Sequence, residues 1–281
     1  MNVFAYIGEY LINIPEHQNS EDLTERSGYT EITEIPKHTL EIVFLGTGNA
    51  FSMANRYWGS ILLNERILLD ASPIVVPHMK HLNRDFSKLE YIFLTHFHAD
   101  HFFGLPFLFL DFAYLQTLGH PLNIIGPTKV EEKITHVTNL GFSGVIEKLK
   151  NRLKINYFEV TQAGTYNVSG LKFTAIPMDH AGTEAYGYRI PVGDKTVAYT
   201  GDTDLCAGVF ELAAKTDILI IELSNPHDDV PGHMSLQKIQ KLRERLSPDV
   251  QIILNHVGLI SGEITQDKNL ILPKDLDVLE F

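Results

Sequence analysis

The segment with the clearest chemical character covers residues 95–101 and reads THFHADH. It places His96, His98, Asp100 and His101 within six positions, directly after an apolar run. Imidazole and carboxylate groups suit zinc and neighbouring first-row metals, and two such ions form a common clamp for hydrolytic displacement. A surface turn that happens to contain histidines is the alternative, and the dense spacing disfavours it. The segment therefore predicts a metal centre.

Three later residues could complete this centre. His180 lies in MDHAGTEAYGYRI, Asp202 in YTGDTD and His256 in ILNHVG. Each follows a short apolar run, and strand ends are where α/β folds expose functional side chains on rigid supports. Taken singly, His180 could be a structural histidine and Asp202 could shape a turn. The one cysteine, Cys206, excludes a cysteine-rich zinc site, so metal must be held by histidines and carboxylates.

Over residues 40–258 these motifs resemble the metallo-beta-lactamase superfamily. The resemblance implies two divalent metal ions, with zinc as the first choice and manganese, iron or nickel as alternatives. It assigns His96, His98 and His180 to one ion. It assigns Asp100, His101 and His256 to the other, with Asp202 between the two. Asp100 would also be catalytic, because it would hold the attacking water.

Four further motifs resemble ribonuclease Z and its phosphodiesterase relatives. They are FLGTGNA at 44–50, DHFFGLP at 100–106, the stretch 180–188, and GHMS from Gly232. This branch implies that His233 is catalytic and faces the substrate, donating to a phosphate oxygen or protonating a leaving group. The alternative is a histidine that merely neighbours a helix cap at Ser235. Asp70, in LLDASP, either orients a ligand imidazole or forms a turn, and the sequence leaves both open.

Two departures from ribonuclease Z favour a smaller substrate than transfer RNA. The interval 180–202 has room for two strands and a GDK turn but not for a protruding basic arm, and LNHVGLISGE replaces the usual ending. We therefore expect a metal-dependent phosphodiesterase for a small or exposed phosphodiester, such as a cyclic nucleotide or cyclic phosphate. The alternatives are ribonuclease Z itself, a thioesterase or lactonase with the same metals, and a metal-bearing sensor without turnover.

Short apolar runs must supply the strands that position these residues. We predict strands at 40–45, 61–63, 67–69, 91–94, 171–178, 186–190, 196–200, 218–222 and 252–255. Residues 235–246 place leucine and isoleucine on one face and predict a helix with Ser235 as its N-cap. Two groups of strands that need helices on their outer faces predict an α/β fold, a four-layer αβ/βα sandwich.

Length and composition set wider bounds. The 281 residues are 44% hydrophobic, which suits one hydrolase domain at 38–281 behind a polar N-terminal extension at 1–37. The net charge of −12 disfavours RNA and other nucleic acid as partners, although RNA stays possible if a local basic patch exists. No stretch reaches the apolar length that a bilayer requires, so we expect no membrane partner and a cytoplasmic location. A homodimer is compatible with the sequence.

Overall fold

The computed structural model describes residues 3–7, 10–14, 40–53, 55–260 and 270–281. Contacts divide the chain into two units, Met1–Pro36 and Lys37–Phe281. In the first unit, strands β1 (Val3–Ile7) and β2 (Tyr10–Ile14) pair in antiparallel fashion. Most of the predicted extension at 1–37, including its boundary, lies outside the described residues and stays a prediction.

The described residues of the second unit form two seven-stranded sheets. The first has the order β16-β3-β4-β5-β6-β7-β8. Its strands are β3 (Glu41–Gly46), β4 (Ser60–Leu63), β5 (Ile67–Leu69), β6 (Tyr91–Phe93), β7 (Leu122–Gly126), β8 (Ile155–Glu159) and β16 (Val278–Glu280). The second has the order β15-β14-β13-β12-β11-β10-β9. Its strands are β9 (Gly164–Val168), β10 (Leu171–Pro177), β11 (Tyr186–Val192), β12 (Lys195–Tyr199), β13 (Ile218–Leu223), β14 (Gln251–Val257) and β15 (Leu270–Ile271). Each predicted strand is present.

Helices cover the outer face of each sheet. The helices are α1 (Val75–His81), α2 (Ala99–Phe102), α3 (Leu105–Tyr114), α4 (Val130–Gly141), α5 (Val145–Lys150), α6 (Ala207–Ala213) and α7 (Leu236–Arg243), with a short 3-10 helix at Phe86–Lys88. Alternate residues of a strand point to opposite faces. Val43 of β3 therefore packs under the helices of the first sheet, whereas Ile42 packs between the sheets. Likewise Leu219 of β13 packs toward α6 and α7, and Ile220 faces the other sheet. The predicted αβ/βα sandwich is confirmed.

Helix α7 shows how local sequence sets an element that borders the site. The Ser235 side chain accepts a hydrogen bond from the backbone N–H of Lys238, as predicted for an N-cap. The helix ends at Arg243, three residues before the predicted end at Leu246. Residues 245 and 246 instead bond to carbonyls three positions back, which is the tightening common in a last turn. The Arg243 guanidinium donates to the carbonyls of Leu246 and Val250 and stabilises this turn.

None of the helices among the described residues combines the length and the apolar character needed to span a membrane.

Candidate metal centre

The predicted ligands lie at one edge of the sandwich, near the C-terminal ends of its strands. His96 and His98 follow β6, and Asp100 and His101 lie in α2, which begins directly after His98. In the second sheet, the remaining three sit after β10, after β12 and within β14: His180, Asp202 and His256. Strands β12, β13 and β14 run parallel, so their C-terminal ends meet at the same edge. Rigid strands therefore bring distant residues together.

The structure brings all of these side chains into two adjoining groups. The first group contains His96, His98, His180 and Asp202, and the second contains Asp100, His101 and His256. Within each group one ligand atom from every residue lies within 4.8 Å of the others. Their assignment as metal ligands remains a prediction, and this grouping supports it. All are largely buried except His98, which is exposed, and Asp100, which is partly exposed.

Asp202 joins the two groups through its two carboxylate oxygens. Oδ2 lies 4.0 Å from His96 Nε2 and 3.9 Å from His180 Nε2, both in the first group. Oδ1 lies 3.4 Å from His101 Nε2 and 3.3 Å from His256 Nδ1, both in the second group. A carboxylate that faces both groups has the geometry required of a bridging ligand.

Hydrogen bonds to Nδ1 orient most of the imidazoles. His101 Nδ1 lies 2.8 Å from Asp70 Oδ2, His180 Nδ1 lies 3.0 Å from the Gly232 carbonyl, and His256 Nδ1 lies 2.8 Å from Ser224 Oγ. His96 Nδ1 likewise lies 3.1 Å from Thr95 Oγ1. A partner on one ring nitrogen fixes the ring and leaves the other nitrogen for metal. His98 differs, because its Nδ1 faces inward, 3.2 Å from His180 Nε2.

Electrostatics within the centre suit metal binding. Burial lowers the pKa of His96 well below its ordinary value, and the nearby charge of His101 adds to this effect. Burial opposes the charged form of Asp202, but the charges of His256 and His101 outweigh it and hold the pKa of that carboxyl well below its usual range. For His101, burial favours the neutral ring, whereas the charges of Asp202 and Asp70 raise its pKa well above the ordinary value. Because a histidine binds metal through an unprotonated nitrogen, a cation at His101 would compete with a proton.

Two buried atoms test whether metal fits here. His96 Nε2 and Asp202 Oδ1 are buried and make no hydrogen bond within the described part of the chain. A buried polar atom without a partner costs about 1–3 kcal/mol. An ion in the first group would satisfy His96 Nε2, and an ion in the second would satisfy Asp202 Oδ1. A set of imidazoles and carboxylates without cysteine suits zinc, manganese, iron or nickel. The residues present therefore fit a pair of divalent ions.

His233 lies beside the first group. Its ring centre is 4.9 Å from that of His180, and its Nδ1 is 2.8 Å from Glu222 Oε1. The Glu222 carboxylate is itself fixed by the backbone N–H groups of Thr203 and Ser224, at 3.0 and 2.8 Å. Burial favours the neutral ring, but the hydrogen bond and charge of Glu222 outweigh it and raise the pKa of His233. The contact with Glu222 therefore favours the protonated form of the His233 ring next to the predicted ligands.

Several groups that hold the centre had no assigned role in the sequence. Glu222 ends an otherwise apolar run, and this strand-end position makes it a candidate site residue from the sequence, without a defined role. Ser224 Oγ and the Gly232 carbonyl left no sign, because a serine hydroxyl and a backbone carbonyl occur everywhere. For Asp70, the sequence leaves two interpretations open, and its contact with His101 supports the one in which it orients a predicted ligand.

Comparisons with known proteins place the chain in a family. Residues 40–267 match the family model described as anti-Pycsar protein Apyc1. Ribonuclease Z of Listeria innocua is 35% identical over 176 residues, which cover 60% of this chain and 55% of that protein. The chain thus spans about half the length of this curated relative. Ribonuclease Z of Methanosarcina mazei is 27% identical over 292 residues, covering 86% of this chain and 94% of that protein.

Solved structures show the same fold. The metallo-beta-lactamase fold protein YhfI from Bacillus subtilis has a TM-score of 0.68 at 19% identity, covering 87% of this chain and all (100%) of that chain. The short form of human tRNase Z has a TM-score of 0.67 at 19% identity, covering 85% and 98%. A diphosphatase of the PhnP family has a TM-score of 0.68 at 21% identity, covering 86% and 97%. These identities support the fold and carry no argument about substrate.

Proposed function

The chain belongs to the metallo-beta-lactamase superfamily, in the family of the anti-Pycsar protein Apyc1, and we propose that it is a metal-dependent phosphodiesterase acting on small or exposed phosphodiesters. The observation that carries the proposal is the His233–Glu222 pair beside His180. A proton donor next to two metal groups would assist cleavage of a phosphate ester with an alkoxide leaving group, because protonation stabilises the departing oxygen.

The proposal gives separate roles to Asp100, His233 and Glu222. When bound, two divalent cations would lower the pKa of a water molecule and neutralise charge on the phosphate oxygens. Asp100, whose Oδ2 lies 3.0 Å from His256 Nε2, would hold the attacking water by accepting its hydrogen bond. Glu222 holds Nδ1 of His233, so Nε2 is the atom that would donate a proton to the leaving oxygen.

The segment between His180 and Asp202 favours a small substrate. Strands β11 and β12 form an antiparallel hairpin in which Val192 pairs with Lys195, so only Gly193 and Asp194 lie between them. This matches the predicted compact interval and leaves no protruding arm there. Folded RNA generally requires a basic surface, whereas this chain carries a net charge of −12. A cyclic nucleotide or cyclic phosphate is the substrate class that we propose.

Ribonuclease Z activity is the second candidate, and one observation favours it. The Listeria innocua enzyme of that name shares 35% identity with this chain over 176 residues. The absent arm between β11 and β12 weighs against cleavage of transfer RNA, because it removes a surface that could hold the RNA outside the centre. The two candidates share the same metal groups and differ only in the size of the substrate that is held.

The test compares substrates on one metal-loaded preparation. Bis(p-nitrophenyl) phosphate, a 3′,5′-cyclic nucleotide, a transfer RNA precursor, a thioester and a lactone are assayed side by side. We expect the highest kcat/KM on the small phosphodiesters. Faster cleavage of the precursor at its 3′ end would establish ribonuclease Z instead. A preference for thioester or lactone would assign a carbonyl substrate, and absence of turnover on all five would favour a sensor.

The single cysteine, Cys206, suits a reducing compartment, and we propose the cytoplasm. A homodimer stays a prediction.

A further inference from the structure

The loop between β13 and α7 carries two groups that border the centre. The Gly232 carbonyl accepts a hydrogen bond from His180 Nδ1 at 3.0 Å, and the His233 ring packs against that of His180. Gly232 has a φ of +82°, and a Cβ at this position would lie 2.9 Å from Cβ of Ala181. Only glycine permits this approach without strain. The position of the loop therefore sets the orientation of the His180 ring.

Lys238, in the first turn of α7, holds this loop through its ammonium group. Nζ lies 2.7 Å from Asp204 Oδ1 and 2.6 Å from Asp229 Oδ1, and it donates to the His233 carbonyl at 2.9 Å. Lys238 is only 8% exposed. A lysine is rarely so buried unless its charge is paired. The buried ammonium thus joins α7 to two separate loops.

Asp204, which Lys238 holds, contacts the backbone around the centre. Its Oδ2 accepts a hydrogen bond from the Gly232 N–H at 3.2 Å. The backbone N–H of Asp204 donates to the carbonyl of Asp179 at 2.7 Å, and Asp179 is the residue directly before His180. Asp204 also follows Asp202 by two positions. The side chain of Asp204 therefore holds the Gly232 N–H, and its backbone holds Asp179, the residue before His180.

Loss of the Lys238 ammonium group would weaken the contacts that Asp204 makes around the centre. Asp204 and Asp229 would then face each other without a cation between them, and like charges repel. The Asp229 side chain is 72% exposed and can turn toward solvent, whereas that of Asp204 is only 25% exposed. Asp204 would have to shift to recover solvation, and Gly232 would lose its acceptor.

We propose that Lys238 is a positioning residue for the metal centre. Through Asp204 and Gly232 it fixes the His180 imidazole. It thereby sets the affinity with which the first group binds a metal ion. The inference rests on the proposed function only in that this function needs both metals. It concerns metal binding and can be tested without any substrate.

The test is a titration of metal-free protein with Zn²⁺ in the presence of a competing chelator. In Lys238→Met we expect one of two sites to lose affinity by about 10- to 100-fold, the range typical for partners that orient a ligand. The other site should be unchanged. Lys241→Met is the matched control, because Lys241 lies on the same helix and is exposed. This control should bind two ions as the unmodified protein does.

A second pair of variants identifies which site responds. Asp204→Ala, which removes the acceptor of the Gly232 N–H, should reproduce the loss, and it carries the test if Lys238→Met does not fold. In a His180→Ala background, Lys238→Met should cause no further loss, because its route to the metal is already broken. The proposal would be overturned if Lys238→Met left the zinc affinity of both sites unchanged or lowered both equally. It would also be overturned if Lys238→Met lowered the affinity further in the His180→Ala background. If the proposed function fails instead, protein with two bound zinc ions will show no phosphodiester turnover.

Discussion

Asp70 Oδ2 lies 2.8 Å from His101 Nδ1, and both side chains are fully buried. The Tyr199 hydroxyl donates to the same oxygen at 2.8 Å, and the Thr95 N–H donates to Oδ1 at 2.8 Å. These contacts fix the carboxylate from both sheets. His101 Nε2 is thereby directed toward Asp202, at 3.4 Å. Asp70 thus orients a predicted ligand although it need not touch metal itself.

Replacement of Asp70 by asparagine should weaken the second metal group. Asp70 has a φ of +53°, a conformation that asparagine also adopts readily, so the backbone should be preserved. The amide lacks the negative charge that holds the His101 N–H. We expect about 10- to 100-fold lower zinc affinity at one site, measured by chelator competition. Asp85→Asn, at an exposed position, is the control. Equal affinities in both variants would contradict the assigned role.

Replacement of Asp202 by alanine should be more damaging than loss of any single histidine. The carboxylate faces both groups, so its removal takes a ligand from each and leaves two cations less shielded from one another. Bound metal, measured by elemental analysis after dialysis, should fall below one ion per chain. His96→Ala, which removes a ligand from one group only, provides the comparison. Full occupancy of both sites in the Asp202 variant would show that this residue is not the bridge.

Replacement of His233 by alanine should lower kcat and leave metal content unchanged. A positioned general acid typically contributes about 10²- to 10⁴-fold, and we expect a loss in this range on a 3′,5′-cyclic nucleotide, whose departing alkoxide oxygen needs a proton. His81→Ala, an exposed histidine on α1, should keep the original rate. Undiminished turnover of the phosphodiester without His233 would remove the main support for phosphodiesterase activity and favour a carbonyl substrate.

Removal of metal should lower the melting temperature. His96 Nε2 and Asp202 Oδ1 are buried without hydrogen-bond partners, so metal bound to the folded chain would stabilise it. A ligand that binds only the folded state contributes about 4 kcal/mol at a thousand times its Kd. Thermal unfolding after chelation, followed by addition of Zn²⁺, should show a fall and a concentration-dependent recovery. A melting temperature indifferent to zinc, in protein shown to be metal-free at the start, would refute this prediction.

The sequence alone was enough to predict much of the fold. Buried strands appear as short apolar runs because both of their faces are covered, and each predicted run forms a strand. The Ser235 cap was equally visible, since capping involves residues only three positions apart. The end of α7 was misplaced, because a last turn can tighten without any change in the pattern of apolar residues. The predicted ending at 254–263 is described only as far as Ile260.

For the candidate site, too, the sequence predicted one part and the tertiary structure decided the other. The segment 95–101 determined four of the predicted ligands by itself, because a turn after a strand can direct nearby side chains to one point. Only the tertiary structure decided how these residues are held: Asp70 reaches His101 across 31 positions, and Ser224 reaches His256 across 32. Such contacts depend on the order of strands in two sheets and on the loops that join them. The local pattern of apolar residues predicts which face of a strand is buried. It does not predict which distant residue will contact that face.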